Sequence, residues 1–267
     1  MSSASPTEPL AGTVGYHNTY ILLHTRVPPP LFPAKVSSKL QRALMLRTIR
    51  WGGNVNLAWL PEDGEYRGST TPEWEDPERE AYRVSAFSVH RGYLDIPQLS
   101  MENIDEVAET LQRHSQRPEG MGADILATSP LYFYVCTHGE RDCRCRDTGS
   151  AVFAALQQEV KKHNLGDTVK VGGVGHVGGH KYAANVLVFP YGDWLGNIKP
   201  EHVPELVARM CRPRSKLQFN PLNSPPIHSE NLWRGRMGLD KEEQKRLVGS
   251  GEPKTIETSL SPHPSRS

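Results

Sequence analysis

Residues 131–146 read LYFYVCTHGERDCRCR and residues 175–190 read GHVGGHKYAANVLVFP. In the first stretch the apolar run from Leu131 to Val135 reads as a buried strand that delivers Cys136 at its end. Cys136 and Cys145 then flank THGERDCR, and in the second stretch His176 and His180 flank VGG. Two thiolates and two imidazoles form a soft nitrogen-and-sulfur donor set, suited to zinc or an iron-sulfur cluster and not to calcium or magnesium.

The segments around these clusters predict how they meet. Thr148 to Lys162 has Val152, Phe153, Leu156 and Val160 at helical spacing, and Thr168 to Val171 reads as a strand running into the glycine-rich turn. Asn185 to Pro190, with Tyr191 to Trp194, reads as a hairpin, and Pro204 to Cys211 lies in a closing helix. Strand, helix, strand, hairpin, helix is the order of a thioredoxin-like domain. In that order the loops after the first two strands end side by side.

Upstream, Tyr16 to His24 reads as a strand closed by Pro28 to Pro30, followed by an amphipathic helix within Lys35 to Arg50. Ser37 or Ser38 caps that helix and Gly52-Gly53 stops it. Asn54 to Leu60 is a second strand, Pro61 to about Glu80 an acidic loop, Tyr82 to Tyr93 a strand-like run, and Met101 to His114 a helix. The fold class is therefore α/β, with a thioredoxin-like domain on the C-terminal side preceded by a second, degenerate thioredoxin-like α/β domain. The expected division is a flexible N-terminus over 1–13, an N-terminal domain over 14–120, a metal-binding domain with a C-terminal strap over 127–247, and a disordered tail over 248–267. Within the strap, Trp233 has two readings of equal weight, one packing it over the second domain and one leaving it on a surface strap.

The composition excludes several classes. Among 267 residues, 37% are hydrophobic and 23% charged, and the net charge of +1 offers nothing to recruit nucleic acid or an acidic membrane. No apolar run approaches the roughly 20 residues of a membrane span. Four cysteines in a chain of this length, three of them within ten residues, do not make a disulfide framework and fit a reducing compartment. The first 25 residues hold Glu8 and no lysine or arginine, which favours the cytoplasm over export. The basic amphipathic pattern of Lys35 to Arg50 keeps the mitochondrial matrix as the alternative.

CTHGERDCRC, GHVGGHKYAANVLVFP and LWRGRMGL together resemble the sucrase/ferredoxin-like family, from about Gly15 to Leu247. That resemblance implies a [2Fe-2S] cluster held by Cys136, Cys145, His176 and His180, in an electron-transfer protein more than a substrate-specific enzyme. It implies electron donor and acceptor proteins as partners, with no nucleic acid and no membrane span. Two positions depart from the pattern: Cys143, where the family's residue varies, and Arg146, where relatives more often carry glycine. Arg141, Asp142 and Arg144 are candidates for offsetting thiolate charge or orienting an amide, and His138 for a hydrogen bond beside the site.

Rival readings use the same residues. Two cysteines and two histidines satisfy structural zinc, although eight residues between the cysteines exceed finger spacing. A thiol-disulfide redox protein on this fold would lack a CxxC and leave the histidine pair idle. Gly173, Gly175 and Gly178 spell GxGxxG, but a strand follows where a dinucleotide site needs a helix. No GxSxG elbow supports a hydrolase.

Overall fold

A computed structural model of the chain describes residues 10–62, 71–117, 130–211 and 219–249. Among the described residues nine strands, numbered in chain order, join in one sheet of order β4-β3-β1-β2-β6-β5-β7-β8-β9. β1 (Thr19–His24) is buried along its whole length, as its sequence TYILLH demands, and pairs parallel with β2 (Gly53–Trp59). α1 (Lys39–Thr48) makes that crossover, and the Ser38 side chain accepts the Gln41 N–H to cap it. β3 (Tyr82–Ser88) and β4 (Gly92–Leu99) follow as an antiparallel hairpin, and α2 (Ile104–Ser115) closes this half. The single run read from Tyr82 to Tyr93 is thus two strands. Gly92, at φ +69°, takes the left-handed turn conformation that reverses the chain, and alternation of side chains hides such a reversal.

The second half repeats the order. β5 (Leu131–Cys136) and β6 (Val169–Val174) lie parallel, joined through α3 (Cys143–Lys162). β7 (Val186–Phe189) pairs antiparallel with β5, and β8 (Asp193–Leu195) with β7, before α4 (Val203–Met210). β9 (Trp233–Arg236) adds an outer strand and α5 (Lys241–Gly249) follows it. β2 and β6 pair across the two halves through Ala58 with Val174 and Trp59 with Gly173, so one sheet runs through both.

They also share a core. The odd residues of β5, Leu131, Phe133 and Val135, pack under α3 and α4, and β1 and β2 pack under α1 and α2. The even residues, Tyr132, Tyr134 and Cys136, face the other half and meet Tyr20, Leu22 and Phe87. Phe87 and Phe189 stack there with ring centroids 4.2 Å apart. The boundary expected between 120 and 127, most of the expected flexible N-terminus and the tail beyond 249 lie outside the described residues.

Trp233 is fully buried, which fits the packed reading of the two and not the surface strap. Its indole donates to Asp193 Oδ1 at 2.8 Å, and Arg236 Nε donates to the same oxygen at 2.6 Å. Both ions of that pair are wholly buried, and Arg236 also donates to the carbonyl of Ser224. The basic flavour of WRGR suggested a surface segment, but both arginines face inward as members of the last strand.

Removing one partner of a buried pair strands the other charge. Asp193→Ala is therefore expected to lower stability by about 3–5 kcal/mol in urea unfolding, while Asp105→Ala, an exposed pair with Arg47, changes it by under about 1 kcal/mol. A second test is acid. His17 packs edge-on against Tyr20 and Trp194, and burial holds it down to about 4, against the opposing hydrogen bond to the Gly15 carbonyl. Below about pH 6.5 the unfolded chain takes up a proton here that the folded chain resists, so this stability is complete above 6.5 and is lost as pH falls towards 4. His17→Gln should flatten the pH dependence of the unfolding midpoint in that window, which is worth roughly 3 kcal/mol in the parent.

Candidate metal centre

The parallel pairing of β5 with β6 sets Cys136 opposite Val174, so both strands end at one place and their following loops leave together. His176 is two residues beyond that point. Cys145 arrives from α3, whose N-terminal turn begins directly after the first loop. The sequence suggested a helix from Thr148. It starts five residues earlier because the Asp142 carboxylate accepts the Arg144 N–H at 3.0 Å and caps it. Cys143 and Cys145 are thereby helical residues on opposite sides of the axis: Cys143 is exposed, Cys145 buried. A helix N-terminus favours negative charge, so this placement suits a thiolate.

The donor atoms of Cys136, Cys145 and His176 all lie within 4.8 Å of one another. Cys145 Sγ is 4.0 Å from His176 Nδ1. The Cys136 thiol is drawn below the usual thiol range, first by hydrogen bonding from Cys145, against burial, and further by the backbone N–H groups of Val177 and His138. Cys145 is pushed up by that same shared proton and by burial. Of the two sulfurs, Cys136 is the one that gives up its proton more readily. The fourth predicted residue, His180, is outside the three-atom group. Its ring centroid is 5.9 Å from that of His176, it is half exposed, and its Nδ1 lies 3.7 Å from Asp142 Oδ2. Asp142 remains ionised there, held at about 2 chiefly by Arg144, which grips both carboxylate oxygens.

His138 takes a supporting role. Its Nδ1 accepts the His176 N–H at 3.2 Å and its Nε2 donates to the Phe32 carbonyl at 3.1 Å, which uses both ring nitrogens. His138 and His176 also border a cavity of about 370 Å³ that Phe32, Trp74 and Leu57 help to line. Arg141 turns away and donates to the Ala34 carbonyl, and Arg146 pairs with exposed Asp147.

Sequence reasoning missed the residues that hold the histidine loop. Arg234 Nη1 donates to the Gly178 carbonyl at 3.1 Å and to Asn185 Oδ1 at 2.7 Å. Asn185 in turn donates to the Gly179 carbonyl at 3.1 Å, and its own carbonyl accepts the Cys136 N–H at 3.0 Å. Gly178 and Gly179 both have positive φ, +79° and +68°, and a Cβ on Gly179 would collide with the Arg234 guanidinium. The signal was present in the motif WRGR, which was read for its tryptophan.

Residues 10–235 match the sucrase/ferredoxin-like family. The chain belongs to that family. Among curated relatives of this sucrase/ferredoxin-like chain, altered inheritance of mitochondria protein 32 of Meyerozyma guilliermondii is 41% identical over 76 residues, 27% of each chain. Actin patches distal protein 1 of Saccharomyces cerevisiae is 31% identical over 100 residues, 33% of this chain and 32% of its own. The matched segments span a third or less of these relatives' lengths. A thioredoxin-like [2Fe-2S] ferredoxin of Aquifex aeolicus is similar over 32% of this chain and 83% of its own, at 25% identity and a TM-score of 0.28.

The burial pattern predicts thiol reactivity. In the metal-free protein iodoacetamide should modify exposed Cys143 at least about tenfold faster than Cys136 and Cys145, as read by peptide mass spectrometry. Equal rates at the three would contradict the enclosed thiol pair.

Proposed function

We propose that this sucrase/ferredoxin-like chain is an electron-transfer protein whose Cys136, Cys145, His176 and His180 hold a [2Fe-2S] cluster. The observation that carries the reading is the convergence of two sulfurs and one imidazole within 4.8 Å at the shared end of two parallel strands. The chemistry fits: the donors are soft, one thiol is already acidified, and backbone N–H groups aim at its sulfur. His180 completes the set from the loop that His176 begins, with Nδ1 towards Asp142 and Nε2 left as its donor atom.

A [2Fe-2S] group bound there would exchange one electron at a time. With two neutral imidazoles in place of two thiolates the oxidised site is formally uncharged, which favours electron uptake. Sites with a comparable ligand set span roughly −150 to +300 mV, against about −400 mV for plant-type ferredoxins. His180 can hold a proton at Nδ1 facing the Asp142 carboxylate, and the proton on an imidazole is held more tightly when the site gains an electron. Electron uptake is therefore coupled to proton uptake at the histidines.

The partners in this reading are an electron donor and an electron acceptor protein. The compartment is a reducing one, the cytoplasm or the mitochondrial matrix. No helix among the described residues is long and apolar enough to cross a membrane. Structural zinc is the second reading, because the three donors are compact enough for a single tetrahedral ion.

Anaerobically purified protein should be coloured, and the reduced sample should give an electron paramagnetic resonance signal; colourless protein with stoichiometric zinc would replace the first reading by the second. Cys136→Ser or Cys145→Ser should abolish the colour and Cys143→Ser leave it intact. His176→Cys or His180→Cys should retain a centre of lower potential. The potential of the parent should fall between pH 6 and pH 9, and a flat profile would remove the histidine coupling.

A further inference from the structure

Arg234 is 2% exposed, a charged side chain sunk into the join between β8, β9 and the histidine loop. Its donors are well used: Nε to Thr13 Oγ1 and Nη2 to the Thr13 carbonyl, each at 3.1 Å, and Nη1 to Gly178 and Asn185. The guanidinium also lies 5.0 Å from the Tyr182 ring centroid and 5.8 Å from that of Trp194. Every one of these partners is electrically neutral. Among the described residues no carboxylate is ion-paired with Arg234, whereas Arg236, two residues along the strand, is paired with Asp193.

A buried cation without a counter-ion is costly, and a chain that keeps one has an anion to place beside it. Neutral hydrogen bonds satisfy the N–H groups of Arg234 but leave its charge uncompensated. Burial accordingly pulls Arg234 down to about 10, and the Tyr182 hydroxyl and the Cys136 sulfur oppose that fall. Geometry locates the missing anion. Asn185 binds Arg234 through its side chain and Cys136 through its backbone, so a single residue separates the guanidinium from the first thiol. The same guanidinium holds Gly178, midway between His176 and His180. Arg234 therefore touches the histidine loop directly and reaches the backbone of Cys136 through Asn185.

We propose that Arg234 is the fixed counter-charge of the metal centre, a positioning residue that locks the His176–His180 loop and stabilises the state carrying the extra electron. This rests on the reading of the site as a two-cysteine, two-histidine [2Fe-2S] centre. In that case the oxidised site is formally neutral and the singly reduced site carries one negative charge. A cation kept out of water one residue away acts at low effective dielectric and interacts more favourably with the reduced form, raising the potential. The electron comes from the donor protein, or from dithionite in the experiment below. No bond is made or broken at Arg234 and it keeps its proton throughout. An exposed cation such as Arg146, screened by water and paired with Asp147, has no comparable effect.

The test compares Arg234→Gln, Arg234→Lys and Arg146→Gln in the full chain, loaded with iron and sulfide, by redox titration at fixed pH alongside thermal unfolding of the metal-free proteins. Arg234→Gln is expected to shift the potential downwards. Arg234→Lys keeps the charge but loses the planar fork, so it should lower the metal-free unfolding midpoint while holding a potential closer to the parent's. Arg146→Gln should match the parent in both. A loaded Arg234→Gln protein at the parent potential would overturn the proposal, as would an Arg234→Lys protein shifted as far down as the uncharged variant. Should Arg234→Gln fail to take up the metal, Arg234→Lys decides: loading near the parent potential supports the counter-charge, and failure to load overturns it. A parent protein with no iron-sulfur signal would sink the functional reading before any variant is compared.

Discussion

The candidate centre depends on the in-register ending of β5 and β6. Parallel strands joined by a crossover helix place their C-terminal ends at the same edge, and here the pairing of Cys136 with Val174 brings those ends level. Everything that follows is a consequence of that alignment. The first loop must descend into α3 and so deposits Cys145 on its opening turn, while the second loop must cross over the same spot to reach β7 and so lays His176 against the sulfurs. A one-residue slip between β5 and β6 would turn Cys136 from the core between the halves towards α3 and separate the donors.

The surroundings of the site are arranged by the cost of buried charge. Asp142 stays near water, caps α3 and faces His180. Asp193 and Arg236 are wholly buried and neutralise each other, with Trp233 fixing the shared oxygen. Arg234 is buried with neutral partners beside a pair of thiols that share a proton. The last strand therefore carries one closed ion pair, Arg236 with Asp193, and one buried cation, Arg234, that no carboxylate among the described residues pairs.

Much of this was legible in the sequence because local chemistry dictated it. The strands bearing Cys136 and preceding His176, the serine cap of α1 and the apolar stripe of α3 follow from side-chain periodicity and capping. Cys136, Cys145 and His176 were picked out by residue type and spacing and lie together; His180 stands one ring away. The hairpin turn at Gly92 was missed because alternation continues through it, and the early start of α3 because a cap by Asp142 looks like one more charge in a polar loop.

What the sequence determined by itself was the candidate cysteines and histidines and most of the order of strands and helices, since hydrophobic period and residue chemistry are local properties. Only the tertiary structure decided which side of each residue meets what. It buried Trp233 and both arginines of WRGR, made the two halves share one core through Tyr20, Phe87, Tyr132 and Phe189, and set Arg234 behind the ligand loops. Those outcomes depend on contacts between residues far apart in the chain, such as Thr13 with Arg234 and Asn185 with both Arg234 and Cys136, and no local pattern encodes such a pairing.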